Sequence, residues 1–255
     1  MPRAPRTPAL FVSPHFDDVA LSCGGAVALE ARDGDAVIVT VFAGDPKGGL
    51  NAFARFQHER WGHDDAVDER RREDRKAREI LGADYRWLDY PDAIYRGEQY
   101  LSDEELFGPV KPGDAELTAN VTASLLELAE ELSPHRVYLP LTVGGHVDHR
   151  ICWAAVPALK RQGVRIRFYE DFPYAATSNI VEATVPGLSE HLEPEVVELG
   201  DAFDAKLAAI GVYESQLATV FRNLGPWDEV TRRYAASRSE AGGYAERFWV
   251  PAVTT

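Results

Sequence analysis

Residues 36–42 read Ala-Val-Ile-Val-Thr-Val-Phe. The run is continuously apolar and rich in β-branched side chains, with a turn signal, Asp33-Gly34-Asp35, just before it. A strand that needs no polar face is one buried on both sides, the mark of a central strand in a parallel sheet. Working outward, Leu10–Val12 reads as a second buried strand that ends at Ser13-Pro14. Between the two, Asp18 to about Ala31 reads as a helix with Val19, Leu21, Ala26, Val27 and Leu29 turned to the core. Downstream, Ala66 to Leu81 is a charged helix closed by Gly82, a residue suited to the left-handed C-cap. Tyr85–Leu88 is a short strand, and Glu116 to Leu132 a helix ended by Ser133-Pro134. Arg136–Leu141 is a strand, His149 to Gln162 a helix interrupted near Pro157, Val164–Tyr169 a strand and Ala202 to Tyr213 a helix. Strands and helices that alternate in this way predict a Rossmann-like α/β fold, a mainly parallel sheet with helices on both faces.

Two stretches break the alternation. Gly44–Asp65 is long, aromatic and polar, too long for an idle connection and placed to form a lid. Phe172–Leu199 contains Val181–Val185 and Val196–Leu199, read as a small antiparallel insertion over 172–199. The expected organisation is one domain over 1–255, with its core in 10–170 and a helical part in 200–255.

The 255 residues are 45% hydrophobic and 27% charged, ordinary for a globular chain with a large core. Asp plus Glu number 41 against 27 Lys plus Arg, a net charge of −14 that repels phosphate backbones and anionic membranes, so nucleic acid is excluded as a partner. No run of 18 apolar residues is present to cross a membrane. No apolar stretch suited to a signal peptide precedes Leu10, so a cytoplasmic location is expected. Cys23 and Cys152, alone and among small or apolar residues, read as buried free thiols.

Two of the seven histidine neighbourhoods stand out. Ser13-Pro14-His15-Phe16-Asp17-Asp18 follows the first strand, and Gly144-Gly145-His146-Val147-Asp148-His149 follows Arg136–Leu141. Ligands of open α/β sheets bind beyond the carboxyl ends of the strands, and both segments lie there. Helix capping accounts for an Asp at either place, but not for the two histidine pairs. His15, Asp18 and His149 would make a His₂Asp set, three protein ligands with the rest of the shell open, as in catalytic zinc sites. Asp17 is left beside the ion as a free carboxylate able to take a proton from an attacking water. His146 is left to stabilise an oxyanion or protonate a leaving group, with Asp148 to orient it. The G-x-G-x-x-G fingerprint of dinucleotide binding is absent, and Gly24-Gly25 reads instead as a site of close helix approach.

The segments SPHFDDVALSCGG and GGHVDHR resemble the two signature segments of the PIG-L/LmbE-like zinc-dependent N-deacetylases. Weaker similarity lies in Arg70-Arg71-Arg72-Glu73 with Ala77 and Leu81-Gly82, and in Tyr90-Pro91-Asp92, Tyr169-Glu170-Asp171, Lys206 and Tyr213-Glu214-Ser215-Gln216. The resemblance implies Zn²⁺ held by His15, Asp18 and His149, Asp17 as general base, and His146 as electrostatic or acid partner. It also implies Arg70 and Asp92 as substrate contacts, and makes a homo-oligomer plausible. Phe16 stands where the family usually has proline, and Gly144-Gly145 stands where some members carry a tyrosine suited to the oxyanion.

The implied activity is hydrolysis of an N-acetyl amide on a small-molecule amino-sugar derivative. An amidase acting on a thiol conjugate or another N-acyl molecule, and a non-catalytic metal- or sugar-binding protein, are the alternatives. Of the remaining histidines, His58 and His63 are expected at the surface, His135 at a helix C-terminus and His191 in a polar loop. Trp61 is a candidate for sugar stacking.

Overall fold

The computed structural model describes residues 7–62, 65–177, 181, 182, 184 and 192–252. Strands β1 (Ala9–Ser13), β2 (Ala36–Thr40), β3 (Asp84–Trp87), β4 (Arg136–Pro140) and β5 (Ile166–Tyr169) pair in parallel. Strands β6 (Leu192–Glu198) and β7 (Ala245–Pro251) pair antiparallel with each other, and β7 pairs antiparallel with β5. The order across the sheet is β3-β2-β1-β4-β5-β7-β6. Every residue of β1 and β2 is buried, as the unbroken apolar pattern of 36–42 requires.

Alternation along the strands feeds two cores. Leu10 and Val12 face the same core as Val121 and Leu125 of α5 (Ala115–Leu132), Ile151 of α6 (Val147–Trp153) and Leu159 of α7 (Val156–Arg161). Ala9 and Phe11 face the core formed with α1 (Asp18–Asp33), α3 (Ala66–Leu81) and α8 (Ala202–Gly211). Each large apolar side chain removed from water in this way stabilises the fold by about 1.5–3 kcal/mol.

β1 lies between β2 on one side and β4 on the other, which makes the crevice beyond the carboxyl ends of β1 and β4 the switch point of the sheet. Roofing that end are α2 (Ala52–Trp61) and α4 (Asp103–Leu106), whose Ala54 and Leu106 share a small core with Val147. The elements α9 (Glu214–Val220) and α10 (Trp227–Arg238) close the C-terminal side.

Helix α1 is kinked at Cys23, whose φ of −140° is not helical. The amide groups freed by the kink donate to the buried Glu246 carboxylate, Gly25 at 3.0 Å and Ala26 at 2.8 Å. Lys206 neutralises that carboxylate at 2.7 Å and donates to the Ser22 carbonyl at 3.2 Å. A Cβ on Gly25 would lie 2.6 Å from Leu199 Cδ1, so the close approach expected of this glycine pair is real there.

Several elements differ from the sequence expectation. The lid stretch 44–65 contains a helix, α2, capped by Asn51, whose side chain accepts the Ala54 amide at 2.7 Å. The interruption expected near Pro157 is present: 149–162 falls in two helices, with Pro157 in the first turn of the second, where a missing N–H costs nothing. Val181, Glu182 and Thr184 are helical rather than extended; the other positions of 181–185 lie outside the described residues. Val196 and Val197 do form an antiparallel strand, but it extends the main sheet as its edge. The part expected to be helical in 200–255 also supplies β7. Cys23 and Cys152 are buried free thiols, as expected.

Candidate metal centre and active site

The turn after β1 is held by its own side chains. Ser13 Oγ donates to the His15 carbonyl at 2.5 Å and accepts the Val19 amide at 3.2 Å, which makes Ser13 the residue that satisfies the helix start. Asp18 Oδ2 accepts the His15 amide at 2.7 Å. Asp17, at the N-cap position, makes no capping bond to the helix.

His15 Nδ1 lies 3.1 Å and His149 Nε2 3.3 Å from the same Asp18 Oδ2. The opposite nitrogen of each imidazole is tied back by a buried carboxylate. His15 Nε2 is 3.0 Å from Asp148 Oδ2, and His149 Nδ1 is 2.6 Å from Asp171 Oδ1. Asp148 also accepts the Ala93 amide at 3.1 Å and the Arg96 guanidinium; Asp171 accepts the Val143 amide at 2.8 Å. Carboxylates that grip the outer nitrogens fix ring orientation and leave the inner nitrogens to a metal. His146 stands close by, with a nitrogen that lies within 4.8 Å of one on His15 and one on His149. Two oriented imidazoles and one carboxylate fit Zn²⁺ by donor type.

The expected link from the Asp148 carboxylate to His146 is not what forms. That carboxylate serves His15, and only the Asp148 backbone N–H reaches His146, donating to Nδ1 at 3.2 Å. The reason is the helix start: His146 is the N-cap of α6 and its ring accepts the amide of the second helical residue. The bond fixes Nδ1 as acceptor and leaves Nε2–H as the donor of the neutral ring.

The electrostatics follow burial and these pairs. Burial opposes a charge on His149, but Asp18 and Asp171 outweigh it and hold its pKa at about 9. His15 is also raised well above the ordinary value, with Asp92 and Asp18 overcoming burial. Asp18 is held well below the carboxylate range by His149 and His15 against the cost of burial. His146 goes the other way: burial, reinforced by the charge of His15, pushes it well below 6.5. Asp17 is raised from 3.8 by burial; Arg70 offsets part of this and Asp18 adds to it.

Arg70 and Asp92 are brought to the site. Arg70 Nη2 lies 3.4 Å from Asp17 Oδ1, and Nη1 3.7 Å from Asp92 Oδ2, itself 3.6 Å from His15 Nε2. The Arg70 guanidinium sits 5.3 Å over the Phe16 ring and 5.1 Å over Trp61. Phe16, the departure from proline, thus supplies an aromatic face under the cation that holds Asp17.

These groups line a cavity of about 140 Å³ that contains His15, Asp17, Asp18, Arg70, Asp92 and His146, walled by Gln57, Trp61, Phe107 and Tyr174 among others. Tyr174 packs over Gly144, where a Cβ would come 3.1 Å from its ring and φ is +86°. Tyr174, just after β5, therefore lines the cavity on the side where the second motif carries only glycine. Asp171, Arg96, Phe107 and Tyr174 have no role in the sequence reading. Asp171 had two usable signals, its place beyond the carboxyl end of β5 and the family similarity of Tyr169-Glu170-Asp171.

His58 is buried rather than at the surface, and its Nε2 is 2.7 Å from the Tyr95 hydroxyl. His135 Nδ1 contacts the Thr7 carbonyl at 3.0 Å, and its Nε2 is 3.4 Å from Glu30, in the last turn of α1. His63 and His191 lie outside the described residues. No helix among the described residues is long and apolar enough to cross a membrane.

The sequence pattern of the PIG-L family, GlcNAc-PI de-N-acetylase, matches residues 10–160. The 2'-N-acetylparomamine deacetylase of Streptomyces fradiae is 32% identical, over 98% of this chain and 92% of that protein. Among solved structures, the A40926 pseudoaglycone deacetylase is 30% identical with a TM-score of 0.81, covering 96% of this chain and 97% of that one. The zinc-inhibited form of teicoplanin deacetylase is 27% identical with a TM-score of 0.84, covering 98% of this chain and all of that one. The two motifs, the parallel sheet that places them and these similarities agree: the chain belongs to the PIG-L family and is an N-deacetylase.

Proposed function

We propose that the chain releases acetate and a free amine from the N-acetyl group of a small amino-sugar derivative, with His15, Asp18 and His149 holding Zn²⁺. The observation that carries the reading is the pair of histidines, each braced from behind by a buried carboxylate, facing the single oxygen Asp18 Oδ2. When bound there, the ion supplies a Lewis acid that polarises the acetyl carbonyl and makes water easier to deprotonate.

Asp17 takes the proton of the attacking water. Burial raises its basicity, and Arg70 at 3.4 Å keeps the carboxylate aimed into the cavity. His146 donates Nε2–H to the oxygen that gains charge, as a neutral ring whose tautomer is set by the Asp148 amide. A ring that burial keeps neutral has no second proton to give, so the amine receives its proton from Asp17, which gained one in the first step. Arg70 and Asp92, side by side on the cavity wall, are the groups that bind sugar hydroxyls.

The deciding experiment is Asp17→Asn. Metal analysis should give the wild-type zinc content, while acetate release falls by about 10²–10⁴-fold, the usual contribution of a positioned base. Wild-type turnover in that variant refutes the base assignment, and loss of zinc shows that Asp17 belongs to the ligand shell.

A further inference from the structure

Two carboxamide side chains line the catalytic cavity, Gln57 and Gln216, and the mechanism uses neither. The Gln57 oxygen is taken, since it accepts from Arg60 Nη1 at 3.0 Å. Gln216, in the first turn of α9 and 4% exposed, differs. Its Nε2 lies 2.9 Å from Ser215 Oγ, and its Oε1 has no hydrogen-bond partner among the described residues.

The group behind decides which way round that amide stands. Glu73 of α3, itself buried, accepts the Ser215 amide with Oε1 and the Ser215 hydroxyl with Oε2, each at 2.7 Å. A hydroxyl has one proton to give. Ser215 gives it to the carboxylate, so Ser215 Oγ accepts from Gln216. The donors run one way, from Gln216 Nε2–H to Ser215 Oγ–H to Glu73. The NH₂ of Gln216 is thereby turned to Ser215, and the carbonyl oxygen is left for the cavity. Arg70 lies one turn before Glu73 on α3 and lines the same cavity of about 140 Å³. The cavity so presents one group that only donates and one oxygen that only accepts. A ring hydroxyl answers both at once, whereas an acetamide N–H only donates.

We propose that Gln216 Oε1 accepts the proton of one hydroxyl on the acetylated ring, and that Ser215 and Glu73 are positioning residues that hold the amide in that orientation. The inference rests on the amino-sugar reading of the proposed function and gives that site a specificity-determining residue. A ring without a donor at that position leaves a buried acceptor unmet and is selected against.

The test uses the zinc-loaded enzyme and whichever of N-acetylglucosamine and 2'-N-acetylparomamine it hydrolyses faster. The 3-, 4- and 6-hydroxyls of the acetylated ring are replaced one at a time by fluorine, which accepts weakly and cannot donate. For one of the three, wild-type kcat/KM for acetate release should fall by about tenfold or more. In Gln216→Met the parent should fall by a similar factor, and the penalty for that one fluorine should shrink to near one while the other two keep their wild-type values. Glu73→Gln should shrink the same penalty by another route. Its carboxamide meets the Ser215 N–H only with its oxygen, so its NH₂ faces Ser215 Oγ. The hydroxyl proton then passes to Gln216, whose NH₂ turns to the cavity. Metal analysis should give wild-type zinc content in both variants. No penalty at any hydroxyl, a penalty that Gln216→Met leaves unchanged, or a loss of all three penalties together overturns the contact while leaving the N-deacetylase reading in place. A penalty that survives Glu73→Gln overturns the positioning role. No acetate from either parent overturns the amino-sugar reading, and the contact with it.

Discussion

Replacement of Asp171 by Asn tests the proposed metal centre from behind one of its proposed ligands, His149. Asp171 accepts two bonds, from His149 Nδ1–H at 2.6 Å and from the Val143 amide at 2.8 Å, and is 1% exposed. An Asn of the same shape has one acceptor oxygen, so its NH₂ must face one of the two donors. Either His149 loses its brace or Val143 loses its partner, at about 1–3 kcal/mol for an unmet buried group. Removal of the carboxylate behind a ligating histidine typically lowers metal affinity about 10–100-fold.

A second effect has the opposite sign. In the metal-free protein His149 holds its proton up to a pKa of about 9. Zinc must displace that proton, so below this pKa affinity rises with pH, by about tenfold per unit from this group alone. Between pH 7 and the pKa of about 9, that is about a hundredfold gain. In Asp171→Asn one of the carboxylates that raise the pKa is gone, so the rise ends at lower pH. The two profiles therefore converge toward neutral pH and separate above the His149 pKa of about 9, where the variant is weaker by the full 10–100-fold. Zinc competition against a chromophoric chelator from pH 6.5 to 9.5, with stoichiometry checked by metal analysis, reads both effects. Equal affinities at the alkaline end refute the bracing role of Asp171, and a wild-type profile that is flat above pH 7 refutes the proton competition.

The same pKa shift has a stability consequence. The folded pKa of His149 lies above the ordinary 6.5, so its stabilising charge is fully present below 6.5 and is lost as pH rises through about 9. The metal-free protein should show a denaturation midpoint that falls across that window, and a flat midpoint counts against the pairing with Asp18 and Asp171. Lys206→Met leaves Glu246 as a buried carboxylate without its cation, 4% exposed, and should cost about 3–5 kcal/mol in urea unfolding with zinc content unchanged. A loss under about 1 kcal/mol shows that the two α1 amides alone satisfy Glu246. Tyr174→Phe removes the hydroxyl of a residue that lines the cavity and should lower kcat about tenfold or more with wild-type zinc content. Unchanged kcat assigns Tyr174 to packing alone.

What the sequence reveals about this molecule depends on how local the determining physics is. The strand at 36–42 is legible because a both-sides-buried strand needs no polar residue, and the chain writes that requirement in consecutive positions. The motif after β1 is legible because His15, Asp17 and Asp18 act within one turn. The helix α2 is hidden for the opposite reason. Its burial is shallow, with Ala54, Gln57 and His58 the buried positions, so it carries no apolar stripe to read. Its stability comes from tertiary contacts and the Asn51 cap.

The site divides along the same line. The proposed metal ligands come from motifs in which residue type and spacing would be dictated by an ion, and His15 and His149 stand out from the rest of the chain. Their braces are dictated only by the direction in which each ring's far nitrogen points. Asp148 looks like a partner for His146, two positions away. A helix start decides otherwise: the His146 ring is turned to cap α6, and the Asp148 carboxylate is carried one helical step around, to His15 across the sheet at 3.0 Å. Spacing gives which groups share an edge of the sheet; the backbone direction at each strand end gives which of them touch. The same rule explains Tyr174. The glycines at 144 and 145 look like a missing function in one segment, yet the space they leave, with a Cβ position only 3.1 Å from the Tyr174 ring, is what admits a side chain from another.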